Sequence, residues 1–222
     1  MTFNLAKITQ SLRSVLGRIF NCFFRKDKFV LVERILAETS FQTETNVKVG
    51  LRIIQRDDFS KIFDKFKKSR VDIEKVSEDA SLCAVAEIDG NLVHWTFVAF
   101  DKAYVRELER KICVAPGTVY LYAIHTDPDY RGLGIASKVM TKILGYLQEE
   151  GFEKAYALIR PNNSPSLRYT QKLGFKKIGT IDFSKIFGLK IYRCKSKIRK
   201  NQDKLMKMFS AATPKEKLVV FC

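Results

Sequence analysis

The sequence lacks any apolar run of the roughly 20 residues that a membrane-spanning helix needs. The best candidate, Val15 to Phe24, is too short and contains Arg18. It has no separate charged segment before it and no small-residue cleavage site after it, so a secretory signal is not expected. We therefore expect a cytoplasmic protein, with peripheral contact at the inner face of a membrane left open.

Cysteine and histidine are also scarce. The five cysteines are an odd number, none forms a Cys-x-x-Cys pair, and the only histidines are His94 and His125. This pattern predicts neither a disulfide framework nor a metal site, and it favours a reducing, intracellular compartment.

Acidic residues are few relative to basic ones. The 40 Lys and Arg residues against 24 Asp and Glu residues give a net charge of +16. Such an excess suits a polyanionic partner, which can be nucleic acid, an anionic membrane or an anionic small molecule. The basic residues are not interleaved with an aromatic stacking platform or a reading helix, which argues against nucleic acid.

What the chain does have is enough apolar sequence for a core. With 222 residues, of which 46% are hydrophobic and 12% aromatic, it predicts one domain with extensions. We divide it into an N-terminal region 1–46, a regular domain 47–194 and a basic C-terminal extension 195–222. The extension is Lys-rich and is expected to be a solvated appendage.

The N-terminal region begins with apolar residues at helical spacing between Leu5 and Phe23, opposite a basic face. This predicts an amphipathic helix, followed by a short strand or the end of that helix over residues 29–36 and a polar linker over 38–46. Its apolar stripe can dock on the chain's own domain, on a second copy in a homodimer, or in a membrane interface.

The regular domain mixes strands and helices, so the predicted class is α+β or α/β with a mixed, strongly twisted sheet. Asp89-Gly90 separates two apolar runs and predicts a hairpin. Residues 101–111 form a charged connector. Strands are predicted over residues 47–53, 81–88, 91–100, 118–126, 155–159, 177–182 and 190–194, and helices over 59–66 and 164–173. A further long helix is opened by the segment 127–136 and ended by Gly151.

The informative segment is Arg131 to Ala136, which lies between a predicted strand and a predicted helix. Gly132 and Gly134 allow close backbone approach, and the unpaired amides at a helix start bind phosphate with the help of the helix dipole. The residues fit neither the Rossmann fingerprint, which needs a glycine or alanine where Ser137 stands, nor the Walker A loop.

Tyr130 to Ala136 resembles the acyl-CoA-binding motif of the GNAT acetyltransferases, Gln/Arg-x-x-Gly-x-Gly/Ala. Asn163 to Phe175 resembles the second signature of that family, Asn-x-x-Ala/Ser followed by a helix that ends in Lys-Leu-Gly-Phe. The resemblance covers Val47 to Cys194. It implies a mixed sheet with helices on both faces, splayed between two adjacent parallel strands so that the CoA arm inserts between them.

The resemblance also implies which residues bind acetyl-CoA, the co-substrate, with no metal involved. The amides of the glycine-rich turn hold the pyrophosphate, one strand pairs with pantetheine, and the second signature contacts pantetheine from the other side. The corresponding residues are Arg131, Gly132, Leu133, Gly134, Ile135 and Ala136 for the pyrophosphate, Ile124, His125 and Thr126 for the strand, and Asn163 and Ser166 for the second contact.

The implied reaction is direct attack of a neutral amine on the thioester. An alkylammonium has a pKa near 10, so a base must remove its proton at neutral pH. His125 is the first candidate for this base. Tyr122 lies on the same predicted strand, and further titratable side chains on strands near the expected cleft are Tyr120, His94 and Glu87.

The acid for the leaving thiolate departs from the family pattern. Where the family commonly has a tyrosine, this chain has Thr170, and Tyr169 lies about 100° away around the helix. The proton can come from Thr170, from a re-aimed Tyr169, from another residue or from solvent.

Two functions remain open. The first is an acetyl-CoA-dependent N-acetyltransferase, whose amine acceptor is by analogy an amino sugar of surface-polysaccharide biosynthesis. The alternative is a GNAT-like binding module without turnover, held to a membrane surface or nucleic acid by its basic termini.

Overall fold

The computed structural model describes residues 24–37, 47–63, 76–196, 208 and 219–220. The predicted N-terminal amphipathic helix up to residue 23, the linker over 38–46 and most of the C-terminal extension lie outside the described residues. None of the described helices is long and apolar enough to cross a membrane.

The described residues form eleven strands, three α-helices and three single-turn 3-10 helices. The strands are β1 (Phe24–Ile35), β2 (Gly50–Gln55), β3 (Leu82–Ile88), β4 (Asn91–Ala99), β5 (Lys102–Val105), β6 (Arg110–Cys113), β7 (Thr118–Thr126), β8 (Lys154–Ile159), β9 (Lys176–Ile186), β10 (Leu189–Lys195) and β11 (Val219–Val220). The α-helices are α1 (Ser60–Phe63), α2 (Ile135–Glu149) and α3 (Ser164–Lys172).

Nine strands form one mixed sheet in the order β11-β10-β9-β1-β8-β7-β4-β3-β2. Neighbouring strands are antiparallel except for the pairs β7–β8 and β10–β11, which are parallel. Strands β5 and β6 form a separate two-stranded sheet. The predicted class, a mixed sheet with helices, is confirmed.

Strand β1 lies inside the sheet, antiparallel to β8 on one edge and to β9 on the other. The sequence predicts a short strand or the end of a helix over residues 29–36, in an N-terminal region outside the regular domain. Pairing with β8 and β9 instead places residues 24–35 in the main sheet, which corrects the boundary at residue 47 for this strand. Four consecutive residues, Phe29 to Val32, are buried, as expected of a strand covered on both faces. Its pairing partners lie far along the chain, so no local pattern reveals this central position.

The hairpin of β3 and β4 is confirmed. Asp89 and Gly90 form its turn with φ angles of 49° and 75°, the positive values that a tight two-residue hairpin turn requires.

The predicted connector 101–111 is instead the hairpin of β5 and β6. Ala103 and Val105 are buried while Lys102 and Tyr104 are exposed, which is the alternation of a half-buried strand. That alternation is present in the sequence but extends over only four residues, among many charges. The hairpin covers one face of the main sheet.

The sheet separates two sets of core contacts. On one face α2 buries residues at helical spacing, including Val139, Ile143 and Leu147, against Val119 and Leu121 of β7. On the other face the β5–β6 hairpin packs with Tyr120 of β7. Helix α1 begins beside Phe59, which packs on this second side against the β3–β4 hairpin.

The predicted solvated C-terminal extension contributes to the fold at two points. Met208 is buried in the cluster under the β5–β6 hairpin, and β11 pairs with β10. Met208 is therefore packed rather than solvated, and β11 extends the main sheet.

Candidate functional site

The two parallel strands β7 and β8 separate part of the way along. Their pairing runs from Thr118 opposite Lys154 to Leu121 opposite Ala157. Strand β7 continues to Thr126 and remains paired on its other edge with β4. The edge of β7 beyond Leu121 is consequently not paired with β8, which leaves backbone groups that a bound molecule can use.

A β-bulge in β7 lies at this divergence. Trp95 of β4 pairs with His125 and Phe97 pairs with Tyr122, so β7 has one extra residue across this interval. Ala123, inside the bulge, has a φ of 48°. Directly paired residues share a face of the sheet. Tyr122 and His125 therefore both lie on the face that the β5–β6 hairpin covers, called here the hairpin face, although they are three positions apart.

A cavity of about 930 Å³ lies at the divergence and is lined from both faces of the sheet. The start of α2 contributes Gly134 and Ala136 from one face. The opposite face contributes Tyr120 and the hairpin residues Tyr104 and Glu107. One cavity thus joins the glycine-rich turn to the aromatic side of the sheet.

The N-terminus of α2 is a backbone donor site. Its N-cap is Gly134, with a φ of 77° and no side-chain cap, so the amides of the first turn lack the usual side-chain acceptor. Gly132 has a φ of 80°, and a Cβ built on it would meet no protein atom within 4 Å. The exposed Arg131 lies beside them, and its Nε donates to the carbonyl of Thr126 at 3.2 Å. An anion can therefore approach this turn closely.

The structure brings together all but one of the residues that the sequence predicts for acetyl-CoA. Leu133 does not line the cavity and is 38% exposed. The lining residues from that prediction are Ile124, His125, Thr126, Arg131, Gly132, Gly134, Ile135, Ala136, Asn163 and Ser166.

Helix α3 begins at the same cavity. Asn163 is its N-cap, with Oδ1 accepting from the amide of Ser166 at 3.2 Å. A Pro in the first turn supports this start, because its fixed φ suits a helix and its missing N–H is not needed there. Capping therefore fixes Asn163 at the cavity wall.

The two hydroxyls considered as acids on α3 already have acceptors. Thr170 Oγ1 lies 2.9 Å from the carbonyl of Ser166 and 3.1 Å from that of Leu167, and it carries a single proton. The hydroxyl of Tyr169 donates to the carbonyl of Ala136 at 2.9 Å, and burial raises its pKa. In this arrangement neither hydroxyl presents a proton to a thiolate.

Tyr122 is similarly engaged. Its hydroxyl donates to the carbonyl of Val76 at 3.0 Å. Burial, together with the nearby Asp79 and Cys83 side chains, raises the pKa of Tyr122. The phenol therefore stays protonated at neutral pH and cannot serve as a base.

His125 has the most suitable protonation state of the four catalytic candidates. Its imidazole stacks on Trp95 with ring centroids 4.2 Å apart. Burial and then the Arg131 guanidinium lower the pKa of His125, against an opposing effect of Asp127. The imidazole is therefore neutral at pH 7 and can accept a proton.

Two of the other titratable residues considered near the cleft, His94 and Glu87, do not line the cavity. His94 is fully buried, its ring nitrogens 2.8 Å from Thr126 Oγ1 and 3.0 Å from Thr96 Oγ1, and burial lowers its pKa to about 3. It is a neutral core histidine. Glu87 pairs with Arg52 at 2.9 Å at the far edge of the sheet.

Comparison with known proteins identifies the family. The family model described as "Acetyltransferase (GNAT) family" matches residues 49–175, more than half of the chain. The chain therefore belongs to the GNAT acetyltransferase family, whose members use acetyl-CoA. Its class of activity is accordingly that of an acyltransferase.

Relatives and solved structures agree with this assignment. An acetyltransferase of Pectobacterium atrosepticum is 25% identical over 145 residues, covering 61% of this chain and 93% of that protein. An acetyltransferase of Yersinia pestis (strain Pestoides F) is 26% identical with the same coverage. A GNAT-family crystal structure from Novosphingobium aromaticivorans has a TM-score of 0.51 at 16% identity, covering 71% of this chain and 63% of that one. The chain spans less than two thirds of that structure, which supports the fold alone.

Proposed function

We propose that this chain transfers an acetyl group from acetyl-CoA to a primary amine within the cavity at the β7–β8 divergence. One observation carries the proposal: the uncapped start of α2 and the unpaired edge of β7 open onto the same cavity as the aromatic face. In that arrangement the acetyl donor would lie against the α2 side of the cavity and the amine acceptor against its aromatic side, so that the two meet within one cavity.

The α2 side of the cavity suits acetyl-CoA. The amides from Gly132 to Ala136 and the guanidinium of Arg131 would hold the pyrophosphate, since both are donors beside the positive end of a helix dipole. The edge of β7 from Ile124 to Thr126 would pair with pantetheine. Asn163 and Ser166, at the start of α3, would contact it from the opposite wall.

The amine attacks the thioester carbonyl from the aromatic face. Its N–C bond forms, the C–S bond breaks, and a backbone amide of the β7 bulge would stabilise the oxyanion. The ammonium loses its first proton before the attack, so that the reacting species is the neutral amine. His125 would accept the second proton from the nitrogen as the amide forms, and as imidazolium would then return it to the thiolate. The lowered pKa of His125 makes the imidazolium a better acid for this last step.

For the acceptor we propose an amino sugar of surface-polysaccharide biosynthesis, linked to a nucleotide or a lipid carrier. The net charge of +16 supports an acceptor that carries phosphate. The tyrosines of the hairpin face support a ring-shaped substrate, because sugars pack against aromatic side chains.

A second candidate is a binding module that holds acetyl-CoA without turnover. The hydrogen bonds of Thr170 and Tyr169 to backbone carbonyls favour it, since they leave the family's usual acid position without an available proton. In that case the basic residues 1–23 would provide attachment to an anionic membrane, or to a second copy in a homodimer.

Two assays separate these candidates. Isothermal titration with acetyl-CoA measures binding, and release of free thiol from acetyl-CoA over a panel of amines measures turnover. The panel contains glucosamine, a nucleotide-linked amino sugar, a polyamine and a peptide N-terminus. We expect binding and amine-dependent release, strongest with an amino sugar. Binding without release on any amine would establish the module instead.

A further inference from the structure

The acceptor half of the cavity contains a carboxylate that the motifs do not predict. Glu107 lies in the turn between β5 and β6 and lines the cavity on the face opposite α2. Tyr120 of β7 lines the same part, and the Glu107 carboxylate is near enough to contribute to the raised pKa of Tyr120.

The surrounding arginines leave this carboxylate largely available. Arg25 pairs with Asp27 at 2.6 Å and reaches Glu107 only at its backbone carbonyl, at 2.9 Å. Arg160, which also lines the cavity, pairs with Asp27 at 2.6 Å. The remaining neighbour, Arg106, is mostly exposed and lies 3.8 Å away. An exposed pair at that distance contributes little.

Tyr120 contributes a hydroxyl that opens onto the cavity. The residue as a whole is 3% exposed and lines the cavity. Among the described residues no buried side-chain nitrogen or oxygen lacks a hydrogen-bond partner, so the Tyr120 hydroxyl, which forms no hydrogen bond with them, is in contact with the cavity space. A polar group of a bound molecule can therefore hydrogen-bond to it.

We propose that Glu107 and the Tyr120 hydroxyl bind the ammonium group of the acceptor, and that the Glu107 carboxylate takes the first proton from it. A carboxylate, a hydroxyl and the aromatic side chains of Tyr104 and Tyr122 line one cavity, and these are groups that bind a primary ammonium ion. This proposal rests on the proposed function. It specifies that the acceptor binds as a cation whose positive charge is on the nitrogen that reacts.

The protons balance with this assignment. The ammonium gives one proton to Glu107 and becomes a neutral amine, which forms the N–C bond as the C–S bond breaks. The second nitrogen proton passes to the thiolate, so the products are an amide and a free thiol. Glu107 then releases its proton to solvent.

The test is the pair Glu107→Gln and Glu109→Gln. For Glu107→Gln we expect kcat/KM for the amine to fall about 100-fold, with the Kd for acetyl-CoA unchanged. The deficit should shrink as pH rises toward 10, because the fraction of neutral amine in solution grows. Glu109 is the matched control: its carboxylate pairs with Lys185 at 2.9 Å, away from the cavity, and holds the same hairpin.

A second variant tests the hydroxyl. Tyr120→Phe keeps the ring and should raise the KM for the amine about fivefold, with little change in kcat. The proposal is overturned if Glu107→Gln stays within twofold of the wild type. The proposal is also overturned if kcat/KM falls equally in Glu107→Gln and Glu109→Gln and the fall does not change with pH. That result would indicate a displaced hairpin rather than a lost proton acceptor. If the wild type releases no thiol with any amine, the proposed function itself fails.

Discussion

Tyr122, Tyr169 and Thr170 each use their hydroxyl hydrogen within the fold, on a backbone carbonyl. These bonds distinguish side chains that position the cavity wall from side chains that can move a proton. Tyr169 ties α3 to the start of α2, so it holds two walls of the cavity together. Of the four predicted catalytic residues, His125 is the one with a neutral, accessible ring nitrogen that can accept a proton.

We predict that His125→Ala lowers kcat about 100-fold and removes one limb of the pH profile. Only neutral His125 accepts a proton, so wild-type kcat rises with pH through the pKa of His125. Burial and Arg131 place that pKa below the usual 6.5, so kcat is flat from pH 7 upward. Steady-state kinetics at saturating amine between pH 5 and 9 measures this profile.

Tyr169→Phe is the control for that experiment. It removes the bond to Ala136 and should cost about 1 kcal/mol of unfolding free energy, while the dependence of kcat on pH keeps the same shape. An unchanged limb in His125→Ala would remove the histidine from the mechanism.

At the scale of elements, the strands and helices that carry the motifs follow from local sequence. The Asp89-Gly90 hairpin and the helical spacing of the apolar residues in α2 depend on residues close together in the sequence, so both can be predicted from it. The central place of β1 and the approach of the β5–β6 hairpin to β7 depend on contacts distant in sequence. Glu107 therefore reaches the site through tertiary packing, which no motif encodes.

The glycine-rich turn allows a prediction with a matched control. Gly132 and Gly90 both have positive φ, 80° and 75°, and a Cβ on either would meet no protein atom within 4 Å. Replacing either by Ala should cost about 1 kcal/mol of stability through backbone strain. We predict that only Gly132→Ala weakens acetyl-CoA binding, by about tenfold, because its open space is where the pyrophosphate would lie.

Urea unfolding and isothermal titration measure the two effects separately. Equal affinity of both variants for acetyl-CoA would place the pyrophosphate away from this turn.

For the whole molecule, the position of β1 determines how much of the N-terminus can be removed. Residues 1–23 precede β1, whereas Phe24 already pairs with Ile186 of β9. Removing residues 1–23 should leave the sheet folded and acetyl-CoA binding intact. Any membrane or dimer contact made by this segment would then be lost, as flotation with anionic vesicles or mass measurement in solution would show.

Removing residues 1–35 should prevent folding. It deletes a central strand and the buried side chains of Phe29, Val30, Leu31 and Val32. At about 1.5–3 kcal/mol for each buried apolar side chain, the loss of roughly 6–12 kcal/mol is comparable to the whole stability of a domain. Circular dichroism of the two truncated chains decides this, and a folded 36–222 chain would contradict the role given to β1.

A crystal structure with acetyl-CoA bound tests the central claim most directly. We predict the pyrophosphate against the amides of Gly132 to Ala136, pantetheine along the edge of β7 beyond Leu121, and the acetyl group at the bulge, facing Tyr120 and Glu107. Acetyl-CoA bound outside the cavity at the β7–β8 divergence would contradict the account.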